Sequence, residues 1–215
     1  MKPNPTPWLA LALMAILALT RWPGLMPPNF SAAYALMFCA GVYLPGGRGW
    51  WVPMGAMALG DIGLSIYYSQ VVGIPWHWYP LLNYVAYGFL ILLGRRFRPD
   101  TRWFRLLRGG IAGAFLFYLV TNTLSWLLNP FHNPEYTPDW PGWWTALTQG
   151  TAGHPPTWEF LCNTLLSGGL FTGLFAGAMK LADHLESKAE KEASEAAVTG
   201  SDEPAPEPEP EETPA

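Results

Sequence analysis

The stretches YPLLNYVAYGFLILL (79–93), GRRFRPDTRWFRLLR (94–108) and GGIAGAFLFYLVTNTLSWLL (109–128) set six arginines and one acid, Asp100, between two apolar runs. A helix needs roughly 17–25 mostly apolar residues to cross a ~30 Å hydrocarbon layer. Lys and Arg collect in cytoplasmic loops. These fifty residues therefore predict two membrane-crossing helices joined on the inside.

Working outward, the same reading gives four further spans, at 6–20, 30–44, 51–70 and 158–182. Three of the six are near 15 residues and would cover only about 22 Å at ~1.5 Å per residue. Such spans are expected in a locally thin region, or completed by buried irregular backbone. The connections 71–78 and 129–157 hold no Lys or Arg and fall outside, while Arg48 and the C-terminal tail fall inside. Parity then puts the N-terminus and Lys2 inside. Arg21 is the exception, a positive charge on the outer side. Trp22, Trp50, Trp51, Trp76, Trp78, Trp103 and Trp158 lie at or near the expected boundaries, where an amphipathic ring prefers the headgroup level. Lys2 followed by apolar Trp8–Leu19 also resembles the start of a signal peptide, but Pro3, Pro5 and Pro7 and the lack of a small-x-small cleavage site after Leu19 favour a retained helix.

Composition agrees. Of 215 residues, 50% are apolar and 13% charged, with 12 Trp and two Cys. This excludes a disordered chain and a disulfide scaffold. A nucleic-acid partner is not expected, because most of the basic charge sits in one short loop. Residues 183–215 carry eleven Asp/Glu against Lys188 and Lys191, whereas residues 1–182 carry ten Lys/Arg against five acids. The expected organisation is an all-α, six-helix transmembrane domain over 1–182 and an acidic tail over 183–215. The tail starts as a helix continuation and becomes disordered Pro-Glu repeats after Ser201.

The outer loop 129–157 is too long for a plain connector. Asp139 followed by Pro141 reads as a helix N-cap. A short helix near 140–149 would lay Trp140, Trp143 and Trp144 on the membrane surface. An interfacial anchor and a lid over an outward-facing cavity are both open readings.

Polar groups inside spans are costly and face a bundle interior or a cavity. Asp61, flanked by Gly60 and Gly63, is either a packing carboxyl bonded by a close neighbouring backbone or a ligand, ion or proton site. Tyr118, Asn122 and Trp126 repeat every four residues, as do Glu159, Asn163 and Ser167, and as do Asn83 and Tyr87. Each set shares one helix face, and all fall in outer halves. Together with Asn29 and Asp61 they are the candidate binding residues, and interhelical hydrogen bonding is the competing explanation. Asn29 is also read as the cap of helix 2 after the stiff Pro27-Pro28 pair. Gly169, Gly173 and Gly177, with Gly109 and Gly113, read as small-residue faces that let helix backbones approach. Catalytic motifs, metal-ligand spacing and nucleotide loops are absent from the sequence. Neither a catalytic residue nor a cofactor is expected, and Cys39 and Cys162 read as small apolar residues.

Arg21…Pro27-Pro28-Asn29-Phe30-Ser31 with Ala40-Gly41, then Gly60-Asp61, then Phe117…Thr121-Asn122…Trp126, resemble an uncharacterised bacterial integral-membrane family with the pattern Arg…Pro-Pro-Asn-Phe-Ser-Pro…Ala-Gly, Ser-Asp, Phe-Phe…Thr-Asn-Phe…Trp. That family is similar in layout to the substrate-binding S components of energy-coupling-factor transporters. The likeness covers about 20–180. Ala32, Gly60 and Thr123 depart from it, and a helix 6 carboxylate is missing near Ser167-Gly168-Gly169. The resemblance implies six helices, an outward solute pocket, a separate energising membrane subunit and a multi-pass place in a bacterial inner membrane. The expected function is thus a small-solute-binding transport subunit in the lipid bilayer. The alternative is a scaffold that recruits partners through the arginine loop and the acidic tail. An intramembrane enzyme using Asp61 and Glu159 is the least supported reading.

Overall fold

The computed structural model describes the backbone of residues 15–200 and the side chains of 15–194. The choice between a cleaved and a retained first segment, and the Pro-Glu repeats, fall largely or wholly outside these residues. The chain divides into two units, Met1–Gly177 and Ala178–Ala215. In the second, the last helix runs on to Gly200, and Lys188 pairs with Glu192 at 3.7 Å.

All the regular structure described is helical. The first helix, α1, is described over 15–21. It is followed by α2 (Ala33–Tyr43), α3 (Arg48–Tyr67), α4 (Leu82–Gly94), α5 (Trp103–Leu128), α6 (Trp140–Thr148) and α7 (Thr157–Gly200). A π turn at Tyr68–Val72 closes α3, and a 3-10 turn at Tyr79–Leu81 opens α4. Both α5 and α7 are long and apolar enough to cross a membrane, whereas Ala33–Tyr43 and Tyr79–Gly94 are apolar but shorter.

The short α2 is the axis of the bundle. Nine of its eleven residues are buried, and it packs extensively on α4. At the crossing there is no room for side chains. A Cβ on Gly41 would overlap the Ile91 carbonyl oxygen and lie 3.1 Å from the Gly94 Cα, and one on Gly94 would overlap the Phe38 carbonyl oxygen. The α5–α7 crossing is similar, with Gly110 against Thr172 and Gly168 against Ala114. The expected ladder of Gly169, Gly173 and Gly177 does something else. It receives side chains of α5, with Trp103 over Gly173 and Gly177 and its indole N–H donating to the Gly173 carbonyl at 3.0 Å. Four-residue spacing correctly marks a packing face, but an indole rather than a backbone fills it.

Helix α2 starts three residues later than expected, and Asn29 does not cap it. Asn29 has a positive φ of 60°, and its carbonyl accepts from the Tyr34 hydroxyl at 3.0 Å. The capping oxygens come from elsewhere. Thr20 Oγ1 accepts from the Ala32 N–H, and Ser31 Oγ accepts from the Ala33 N–H, each at 3.1 Å. The irregular backbone completing this short element is also not buried: Trp22 and Gly24–Asn29 are exposed, and all of these but Leu25 line a cavity.

A water-soluble helix turns its leucines inward. In the first unit α7 instead leaves Leu166, Leu170 and Leu174 more than half exposed, while Thr164, Ser167 and Thr172 are buried together with Phe171, Phe175 and Ala176. Helix α3 buries only Gly49, Pro53 and Met57, and exposes Trp51, Leu59, Ile62 and Ile66.

Candidate functional site

One end of the bundle is hollow. A cavity of about 1200 Å³ lies among the α1–α2 turn, the ends of α3 to α5, and both flanks of the loop around α6. Its aromatic wall is formed by Tyr34, Tyr87 and Phe117, with ring centroids 4.7 Å apart for Tyr34–Phe117 and 5.3 Å for Tyr87–Phe117. A second ring pair, Tyr79 and Phe131 at 4.7 Å, lines it as well. Asn29, Asn83, Asn122 and Asn133 supply amide groups. Among the described residues lining it there is no carboxylate, and the fixed charge is Arg21.

Arg21 is held from behind. Its Nη2 pairs with Asp61 Oδ1, and the Tyr84 hydroxyl donates to Asp61 Oδ2 at 2.8 Å. Tyr87 is a further polar neighbour of the guanidinium. Helices α1, α3 and α4 thus share one ion pair. Asp61 thereby neutralises the charge of Arg21. The pair also revises the reading of Asp61: a guanidinium and a phenol, not a close backbone, satisfy the carboxylate. Arg21 Nε lies 4.0 Å from the place a Cβ on Gly60 would take, ordinary van der Waals contact, so the pair does not depend on the glycine.

The candidate residues separate into two groups. Asn29, Asn83, Tyr87 and Asn122 line the cavity, whereas Asp61, Tyr118, Trp126, Glu159 and Asn163 do not. Tyr118 donates to the Leu147 carbonyl, and Trp126 donates to the Thr137 carbonyl at 2.7 Å. With Trp143 donating to Thr123 Oγ1 at 3.0 Å, they fasten α6 and its approach to α5. Asn163 ties α7 to the α1–α2 turn by donating to the Pro28 carbonyl at 2.9 Å. Glu159 is exposed, and Ser167 bonds back to its own helix. These groups shape the cavity without facing it. Asn122 Nδ2 itself donates to the Tyr118 carbonyl at 2.9 Å.

The loop 129–157 is more deeply involved than its tryptophans indicate. Asp139 caps α6 as expected, accepting from the Gly142 N–H at 2.8 Å and from the Thr137 hydroxyl at 2.6 Å. The Thr137 hydroxyl first, and then the Gly142 N–H, hold its pKa below the ordinary 3.8. Glu135 Oε1 accepts from the Ala152 N–H at 2.9 Å, bridging the two flanks of α6. That bond lowers the Glu135 pKa from the ordinary 4.5. The flanks supply Phe131, Asn133, Tyr136, Thr151 and His154 to the cavity, and burial raises the Tyr136 pKa. Neither spacing nor hydropathy pointed to these residues. Their one sequence signal was the length of the loop.

Among the described residues no group of three or more His, Cys, Asp or Glu is gathered as a metal site. No curated protein and no solved structure gives a significant match to the chain. A family match covers residues 1–192, and the chain belongs to the family described as "Family of unknown function (DUF6580)".

Proposed function

We propose that this chain is a multi-pass membrane protein that takes a small solute from outside into the cavity beside Arg21. The carrying observation is the cavity itself: about 1200 Å³, walled by aromatic rings and asparagine amides. A ligand site typically joins apolar surface to a few oriented polar groups. The exposed leucines of α7 and the exposed apolar surface of α3 support a lipid surround, since contiguous apolar patches mark membrane or protein contacts.

On the proposed topology α1 to α5 and α7 are six spans, with both termini and the arginine loop cytoplasmic. The cavity then opens to the outside, at the end remote from Arg95–Arg108. Lacking a nucleotide loop and an internal repeat, the chain would act as an S-component-like subunit beside a separate energising membrane subunit. The exposed side chains of Arg96, Arg102, Arg105 and Arg108 favour a second, compatible role, contact with anionic headgroups or acidic partners on the inside.

Thiol labelling tests the proposal. Single cysteines at Asn83, Asn122 and, as a lipid-facing control, Leu170 are placed in a chain lacking Cys39 and Cys162. An impermeant maleimide added outside should label the first two and not the third, because thiols react as solvated thiolates. Protection of both cavity positions in a folded protein would refute an outward, water-filled site.

A further inference from the structure

Helix α5 turns one face away from the bundle. Phe104, Arg108, Ile111, Ala112 and Phe115 are all exposed, and their spacing puts them on one side of the helix. The opposite side is spent on packing: Gly110 lies against Thr172, Gly109 against the rings of Phe38 and Phe97, and Gly113 against Leu90. Arg108 therefore sits in the middle of an apolar stripe. Phe104, 71% exposed, lies one turn before it, and Ile111 and Phe115 follow it.

Arg105 stands beside that stripe. It is exposed as well, and residues three apart are neighbours on a helix surface, ~5–6 Å between Cβ atoms. Among the described residues neither Arg105 nor Arg108 takes part in an ion pair. The acid of the preceding loop, Asp100, is held by Arg98 at 3.4 Å, and Arg95 is engaged by the Gly46 carbonyl and the Trp50 ring. A charge on a lipid-facing surface is costly without a partner. Two unpaired guanidiniums on an apolar face call for an anion that carries its own apolar part, and a guanidinium holds a phosphate through parallel N–H bonds. An acidic protein would answer the charges but not the stripe.

We infer that Arg105 and Arg108 hold the headgroup phosphate of an anionic phospholipid, with one acyl chain lying along Ile111, Ala112 and Phe115. Net charge selects the lipid. A zwitterionic headgroup brings an ammonium against the two arginines, and the stripe offers no carboxylate to receive it. A phosphatidylglycerol headgroup brings no cation. The inference rests on the membrane reading above and narrows its contact with anionic headgroups to one lipid class on one helix face.

The full chain, reconstituted in phosphatidylcholine vesicles, is irradiated with trace phosphatidylglycerol carrying a diazirine in its acyl chain, and crosslinks are mapped by peptide mass spectrometry. Labelling should saturate, concentrate in 104–115, and be displaced by unlabelled phosphatidylglycerol but not by added phosphatidylcholine. Below saturation, Arg108→Gln should cut it about fivefold, the worth of one arginine at an anionic surface, and Arg105→Gln with Arg108→Gln about thirtyfold. Arg98→Gln removes the same charge from the loop and should leave labelling within about twofold, because its guanidinium is already paired. Labelling that does not saturate, that phosphatidylcholine displaces equally well, or that falls equally in Arg98→Gln and Arg108→Gln marks boundary lipid or general surface charge and overturns the inference. An alkaline carbonate wash of the same vesicles separates the two failures. A chain stripped by the wash refutes the membrane reading and the lipid together, and a retained chain with unsaturable labelling refutes the lipid alone.

Discussion

The two ends of the bundle are built on opposite rules. At the arginine end the helices meet through missing side chains: Gly41 against Gly94, and Gly109 beneath the rings of Phe38 and Phe97. Arg95 closes the turn before α3 by donating to the Gly46 carbonyl at 2.5 Å and lying 5.3 Å over the Trp50 ring. At the other end large side chains hold the helices apart, and hydrogen bonds between distant segments fix the gap: Arg21 and Tyr84 on Asp61, Asn163 on Pro28, Trp126 on Thr137. One end is closed by backbone contact, and the other is propped open by a frame of polar bonds. A fold of this kind keeps a closed base while its far end stays hollow, the separation that the proposed role of admitting and releasing a solute requires.

The largest break in this contrast should come from adding atoms where backbones touch. Gly41→Val places methyl groups into the Ile91 carbonyl and the Gly94 Cα, and neither can move without displacing a helix. Overpacking costs about 1–3 kcal/mol where neighbours can yield and more where they cannot, so loss of the monodisperse, folded protein in detergent is expected. Gly55→Ala is the control, because a Cβ there meets nothing within 4 Å. It should be neutral or stabilising by roughly 0.5–1 kcal/mol. Equal thermal unfolding of the two variants would remove the case for a closed end.

A smaller loss is expected at the frame. Arg21→Leu leaves Asp61 without its cation, and Asp61→Leu strands Arg21. Breaking one side of a buried pair costs about 3–5 kcal/mol, while replacing both sides by apolar groups is often neutral. The side chains here are 20% and 25% exposed, so roughly 2–3 kcal/mol is the expected loss for each single variant. The double variant should recover most of it. Additive losses in the double-mutant cycle would mean that the pair is not what joins α1 to α3.

This contrast also separates what the residues disclosed from what they withheld. Hydropathy located α3, α4, the end of α5 and the start of α7 within a few residues, because long apolar runs leave little choice of element; α5 itself begins six residues earlier than expected, at Trp103, so that Arg105 and Arg108 lie on the helix and not in the loop. Asp139 and Pro141 marked α6 by local cap chemistry alone. The frame was hidden for a different reason. Arg21 and Asp61 are forty positions apart, and a charge read within its own span shows no partner. The four-residue stripes fixed which residues share a helix face but not what that face meets. Hence Asn122 lines the cavity while Tyr118 and Trp126 hold α6. The walls from the loop 129–157 were hidden because loop residues carry no period to read.

The smallest effect concerns that loop and is set by pH. Asp139 and Glu135 have pKa values below their ordinary 3.8 and 4.5 because neighbouring donors favour the charged forms. For such groups the stabilisation is fully present above the unfolded pKa and is lost as pH falls through the depressed folded value. The loop around α6 should therefore hold from neutral pH to about 4.5 and loosen progressively below it, ahead of the bundle, whose contacts in the closed end do not titrate. Tryptophan fluorescence with an added aqueous quencher reports this, because Trp140 and Trp144 on α6 are largely exposed already while Trp143 is half-buried. Asp139→Asn and Glu135→Gln sharpen the test. Each keeps an acceptor oxygen and removes the titration, since Asn caps a helix about as well as Asp. The double amide variant should lose the acid-dependent rise in quenching of Trp143 and keep the neutral-pH spectrum of the parent. If quenching still rises between pH 5 and 3 in that variant, the carboxylates are not what holds the wall of the cavity, and the open end owes its shape to the Trp126 and Trp143 hydrogen bonds instead.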